Sequence, residues 1–157
     1  MISVTKIFNF EMAHALYNYE GPCANIHGHS YILHVTVKST MGGNNELTAP
    51  GFIIDFKELK EIVNAKVLVL LDHKLVLSPE YINSLKPPTS FNNLFQFGTE
   101  PTTENLLLFI SKALTASLPA EVSLHSLKLF ETGNSYAEWF NDNLETVTKE
   151  QAKKTTP

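Results

Sequence analysis

The sequence predicts a single α+β domain in which two helices pack on one face of an antiparallel four-stranded sheet. Four segments alternate apolar with other residues and are rich in Val, Ile, Phe and Tyr, as half-buried strands are. Two more segments repeat their apolar residues at helical spacing. The 157 residues suffice for one ordinary core and are few for two. The four strands are predicted at residues 2–14, 27–38, 122–130 and 136–140.

The segments between these elements have the composition of connections. Residues 17–22 are polar and include Gly and Pro, and residues 41–51 hold three glycines, a proline and two asparagines. A short strand is predicted at 52–54. Residues 78–100 contain three prolines and several asparagines, which predicts a long irregular connection of the kind that often has a function.

Each helix has a start and a stop in the sequence. Asp55 followed by Glu58 resembles a capping box, and the helix that it opens is expected to end near Leu70. The second helix opens at Pro101 and is stopped by Pro119. Residues 1–140 are therefore predicted to form one domain, followed by a polar and flexible tail at 141–157.

Composition limits the classes of partner and of compartment. The chain has a formal net charge of −4 and so lacks the excess of basic residues that binds nucleic acid or an anionic membrane. Neither partner is expected. One cysteine cannot form an internal disulfide, and the N-terminal residues do not resemble an export signal. A cytoplasmic protein is expected.

Three histidines are predicted to lie together on the first two strands. His27 and His29 alternate along one strand, so their side chains share a face, and an antiparallel neighbour brings in His14. Any one of them alone is more often a hydrogen-bonded core residue. Because neutral imidazoles are the commonest catalytic ligands of zinc, the three together predict a Zn²⁺ site.

Cys23, four residues before His27, leaves the type of site open. If the thiol is the fourth ligand, the site is closed and structural. If it is not, the fourth position is open to substrate or water.

Two further groups are weak signals by themselves. Asp72 and His73 follow a helix end, where a solvated charged pair is the commoner reading. Glu131 lies at the end of the third long strand, where the alternative reading is an ordinary strand-end glutamate.

The order of these motifs over most of the chain resembles the 6-pyruvoyltetrahydropterin synthase family, which includes the 6-carboxytetrahydropterin synthases of queuosine biosynthesis. The motifs are Phe-Glu-Met-Ala-His at 10–14, Cys-x-x-x-His-Gly-His at 23–29, Asp-Phe-Lys-Glu-Leu-Lys at 55–60, Leu-Asp-His at 71–73, Pro-Thr-Thr-Glu-Asn at 101–105 and Glu-Thr at 131–132.

The resemblance implies a more specific fold and substrate than the residues do. It implies the tunnelling fold, in which the sheets of three subunits join into a barrel and two trimers stack into a hexamer. The implied substrate is 7,8-dihydroneopterin triphosphate, bound at subunit boundaries.

The resemblance also implies a role for each candidate residue. His14, His27 and His29 would hold Zn²⁺; Glu131 would bind the pterin's amino-pyrimidine edge, assisted by Thr103. Cys23 would be the proton-abstracting base, and Asp72 with His73 a second acid–base pair. Cys23 and this pair could come from different subunits.

Two products are compatible with this family. The four-residue spacing from Cys23 to His27 resembles the carboxy-forming members, which release acetaldehyde and triphosphate. The Thr-Thr-Glu-Asn stretch at 102–105 and the Glu-Thr-x-Asn stretch at 131–134 resemble the pyruvoyl-forming animal members. The spacing favours the carboxy-forming enzyme. A non-catalytic zinc or pterin-binding module is the remote alternative, since it leaves Asp72, His73 and Glu131 without a shared purpose.

Overall fold

A computed structural model describes residues 2–40, 50–86 and 90–142. In these residues one six-stranded sheet, in the order β4-β3-β1-β2-β5-β6, carries helices, which confirms the α+β class. The strands are β1 Ser3–His14, β2 His27–Ser39, β3 Lys74–Leu77, β4 Leu94–Gln96, β5 Val122–Thr132 and β6 Ser135–Phe140; the helices are α1, which starts with Phe56–Val63, α2 Pro79–Ser84 and α3 Thr103–Thr115.

The sheet is larger than the predicted four strands, because two short ones were not recognised. β3 and β4 have only four and three residues, too few for alternation to be visible. Both are paired in parallel, β3 with β1 and β4 with β3. Residues 52–54 are not a strand, and the predicted irregular connection at 78–100 contains α2 and β4. Most of the loop predicted at 41–51 and nearly all of the tail lie outside the described residues.

The long hairpin of β1 and β2 sets the position of the histidines. Its ladder is antiparallel throughout and pairs His14 with His27 and Met12 with His29. Alternate residues of β1 point into the core, so Phe8, Phe10 and Met12 are buried in the same row as His14. His14, the last residue of β1, is therefore fixed at the edge of the apolar core.

Two helices cover this core face. Asp55 caps α1 by accepting a hydrogen bond from the Lys57 N–H at 2.7 Å, as the sequence predicted. α1 continues through a π-helical segment, Asn64–Leu68, to a last turn at Val69–Leu71. Thr102 caps α3 through the Asn105 N–H at 3.3 Å. Among the residues described, no helix has the length and apolarity to cross a membrane.

Candidate metal centre and active site

The imidazoles of His14, His27 and His29 meet at one end of the β1–β2 hairpin. Their ring centroids lie 4.6 Å apart for His14 and His27, 5.3 Å for His14 and His29, and 4.9 Å for His27 and His29. His14 is 2% exposed, so its ring is inside the protein. The strand register therefore brings together the three side chains predicted to bind zinc.

Backbone carbonyls set the tautomer of two of these rings. His14 Nδ1 lies 2.8 Å from the Pro101 carbonyl oxygen, and His27 Nδ1 lies 2.8 Å from that of Asn25. A carbonyl can only accept, so each Nδ1 carries the hydrogen and each Nε2 keeps a free lone pair. This is the usual support of a metal-binding histidine.

Glu131 is the fourth member of the cluster; it was predicted to bind the pterin and not to lie among the metal-ligand atoms. One ligand atom from each of the three histidines and from Glu131 can be chosen so that all lie within 4.8 Å of one another, and Cys23 is outside this group. Glu131 Oε1 is 3.3 Å from His14 Nε2 and 3.2 Å from His29 Nε2. The alternation of residues along β5 is the signal that could have placed it there. Leu129 pairs with Leu33 on the core face, so Glu131, two residues on, points to the same face.

The geometry of this group fits a zinc ion. His14 Nε2 and His29 Nε2 are buried and have no well-aligned hydrogen bond among the described residues. Tetrahedral ligands at Zn–N and Zn–O distances of about 2.0–2.1 Å lie about 3.3 Å from one another, which matches both contacts to Glu131. Three nitrogens and a carboxylate oxygen are also a donor set that zinc accepts.

The electrostatics hold these groups in the form that binds a cation. A side-chain hydrogen bond from His14, which forms only while Nε2 also carries a hydrogen, and one from the Thr103 hydroxyl lower the pKa of Glu131 to about 2, although burial opposes the shift. Burial is the main cause that lowers the pKa of His29. At neutral pH the carboxylate is therefore ionised and the His29 ring neutral, as metal ligation requires.

A cavity of about 300 Å³ joins this cluster to the other predicted residues. Its walls include His14, Glu131, Cys23 and Thr103. The Thr103 hydroxyl donates to Glu131 Oε2 at 2.7 Å and so fixes the carboxylate's orientation. The cavity can present a metal ion, a thiol and a carboxylate to one small molecule.

Cys23 reaches the cavity from the loop between β1 and β2. It is half-buried, in a single 3₁₀ turn at Pro22–Ala24. The Leu16 N–H donates to the Cys23 carbonyl at 2.9 Å, which closes the loop on itself.

Asp72 and His73 are paired but do not line this cavity. Asp72 Oδ1 lies 2.9 Å from His73 Nδ1 and also accepts the Glu11 N–H at 3.0 Å. His73 has a left-handed φ of 57° and a side chain that is 79% exposed. It lines a second cavity, of about 380 Å³, beside Glu11 and His29. Within one chain, the structure separates this pair from Cys23.

Comparisons with known proteins agree with this architecture. A family model described as 6-pyruvoyl tetrahydropterin synthase matches residues 3–142. The 6-carboxy-5,6,7,8-tetrahydropterin synthase of Haemophilus influenzae is 30% identical over 143 residues, covering 88% of this chain and 99% of that protein. The 6-pyruvoyl tetrahydrobiopterin synthase of Dictyostelium discoideum is 34% identical over 116 residues, covering 74% and 71%.

Solved structures share the fold. The 6-pyruvoyl tetrahydropterin synthase of Caenorhabditis elegans superposes with a TM-score of 0.63 at 20% sequence identity, covering 90% of this chain and 96% of that one. The predicted tunnelling fold of the subunit is confirmed by this likeness.

Proposed function

The chain belongs to the 6-pyruvoyl tetrahydropterin synthase family, and from this premise we propose that it is a zinc-dependent 6-carboxy-5,6,7,8-tetrahydropterin synthase. It would convert 7,8-dihydroneopterin triphosphate to 6-carboxytetrahydropterin, acetaldehyde and triphosphate, a step in queuosine biosynthesis in the cytoplasm. The observation that carries the proposal is the cavity that joins the histidine and glutamate cluster to Cys23.

The three histidines would hold the metal, with Glu131 beside them. Bound zinc would act as a Lewis acid on a side-chain hydroxyl of the substrate, which makes neighbouring protons easier to remove. The free Nε2 atoms of His14 and His27, which the carbonyls of Pro101 and Asn25 orient, support this assignment.

Proton transfer would need groups on two sides of the substrate. Cys23, at the wall of the metal cavity, would be the base. Asp72 and His73 would form the second acid–base pair, with the carboxylate orienting the imidazole. Because His73 is exposed and outside the Cys23 cavity, we assign this pair to the active site of a neighbouring subunit.

Glu131 would anchor the pterin, because an ionised carboxylate can accept both N–H donors of an amino-pyrimidine edge. We expect Glu131→Gln, which keeps the size but replaces one acceptor by a donor, to weaken substrate binding by about 100-fold, as the loss of one charge-assisted hydrogen bond does. Isothermal titration with the substrate checks this result in protein whose zinc content has been measured.

The matched control is Glu138→Gln, an exposed strand carboxylate paired with Lys128, which should bind the substrate normally. Substrate affinity that stays unchanged in Glu131→Gln would contradict the anchoring role. If Glu131→Gln loses zinc, but the sites that still hold zinc bind the substrate with unchanged affinity, Glu131 is a metal ligand instead.

A homohexamer built as a dimer of trimers is the proposed assembly. The sheet face away from α1 and α3 leaves Ile7 55%, Tyr136 50% and Phe140 55% exposed, which is costly for an isolated subunit. The hydrogen-bonding edge of the outer strand β6 also lacks a neighbour in the described chain. Light scattering should give six times the chain mass of 17.5 kDa; a monomer at micromolar concentration would contradict the assembly.

A 6-pyruvoyltetrahydropterin synthase is the alternative, favoured by the Dictyostelium relative at 34% identity. Both activities release triphosphate from the same substrate. The first test of an enzyme at this site is therefore triphosphate release by zinc-loaded and by chelator-treated protein. Release only with zinc supports either enzyme. Release by neither preparation leaves only the non-catalytic binding module, and equal release by both contradicts the zinc dependence.

A further inference from the structure

We propose that Glu100 is a positioning residue that holds the Cys23 loop at the metal cluster. The inference rests on the proposed role of Cys23 as the base. The hydrogen bond that carries it runs from the Tyr17 N–H to Glu100 Oε2 at 2.8 Å and joins two segments 83 residues apart in sequence.

The contact acts on the loop at its first turn. Tyr17 follows Leu16, whose N–H donates to the Cys23 carbonyl at 2.9 Å. The ring closed by that bond contains the Tyr17 N–H, so the carboxylate of Glu100 holds the ring that carries the thiol. At the other end, the Tyr81 hydroxyl donates to the Ala24 carbonyl at 3.0 Å.

Glu100 is itself fixed to the metal site. Its carbonyl accepts the Thr102 N–H and the Asn105 side-chain amide, both at 2.9 Å. The carbonyl of the next residue, Pro101, accepts the hydrogen of His14 Nδ1. One short segment therefore orients a metal ligand through its backbone and the Cys23 loop through its side chain.

This segment would therefore help to set the distance between the Cys23 thiol and the histidine cluster. Among the described residues, the hydrogen bonds from the Tyr17 N–H to Glu100 and from the Tyr81 hydroxyl to Ala24 join the interior of the loop between β1 and β2 to distant segments. A shift of the thiol by about 1 Å is enough to lower a rate about 100-fold. Glu100 would therefore act on turnover without contacting the substrate.

Two substitutions separate the hydrogen bond from the charge. Glu100→Gln keeps the length of the side chain and an acceptor oxygen but loses the charge, whereas Glu100→Asp keeps the charge but is one methylene shorter. The proposal predicts kcat within about 3-fold of the original for Glu100→Gln and a fall of roughly 10- to 100-fold for Glu100→Asp. KM and zinc content should stay unchanged in both.

A second readout does not depend on activity. Cys23 is the chain's single cysteine, so the rate at which iodoacetamide alkylates the protein reports on this loop alone. Alkylation should be several-fold faster in Glu100→Asp than in Glu100→Gln. Glu121→Ala, which removes an exposed turn carboxylate, is the control and should match the original protein in both measurements.

The outcomes separate this inference from the proposed function. Equal alkylation rates in the Asp and Gln variants overturn the positioning role, and so does lower kcat in Glu100→Gln than in Glu100→Asp. If the original protein has no synthase activity but alkylation still follows the predicted order, Glu100 positions the loop and the proposed function is wrong.

Discussion

Cys23→Ala is expected to keep its zinc and to lose turnover by about 100-fold or more, the usual effect of removing a positioned acid–base group. The thiol lines the metal cavity but is outside the group of atoms that can share an ion. Its removal should therefore leave the three histidines and Glu131 in place. Single-turnover kinetics with zinc-loaded protein, together with metal analysis, measure both quantities.

Two controls make the result specific. The thiol is half-buried at the wall of the cavity, so the variant should still bind substrate, which titration can check. Cys23→Ser should be nearly as inactive as the Ala variant, because a hydroxyl is a far weaker acid than a thiol and is scarcely ionised at neutral pH. Loss of zinc from Cys23→Ala would instead indicate a closed structural site with sulfur as a ligand.

His27→Ala is expected to lower zinc affinity by more than 100-fold, since even residues that only support a metal ligand cost up to about 100-fold. His27 is preferable to His14 for this test. His14 is 2% exposed, and truncating it would also open a hole in the core. Zinc content after dialysis against a weak chelator is the measurement, and turnover should fall with it.

His34→Ala is the matched control for this prediction. His34 lies on the same strand β2 but with the opposite parity, and its ring packs against Phe130 at 5.5 Å on the face away from the cluster. It should retain full zinc. Full zinc occupancy in His27→Ala as well would contradict a zinc site formed by the three histidines.

The sequence predicted the elements that carry a strong periodic signal. Alternation located the long strands, and the parity of His14, His27 and His29 placed the three imidazoles together, because an antiparallel ladder keeps residues on fixed faces. The cap at Asp55 and the start of α3 could be read from local chemistry in the same way.

The features that were missed depend on contacts between distant segments. β3 and β4 are too short to show a period, and their parallel pairing comes only from the folded chain. Glu131 enters the metal group through the register of β5, and the Pro101 carbonyl orients His14 from 87 residues away. Nothing in the local sequence around Glu100 indicates that its carboxylate holds the Tyr17 N–H.

Product identity separates the two candidate enzymes, because both share the substrate, the metal, the thiol and the release of triphosphate. The purified, zinc-loaded protein is incubated with 7,8-dihydroneopterin triphosphate without oxygen, and the pterins are resolved by mass while acetaldehyde is trapped. We expect 6-carboxytetrahydropterin and an equal amount of acetaldehyde. 6-Pyruvoyltetrahydropterin without acetaldehyde would contradict this expectation.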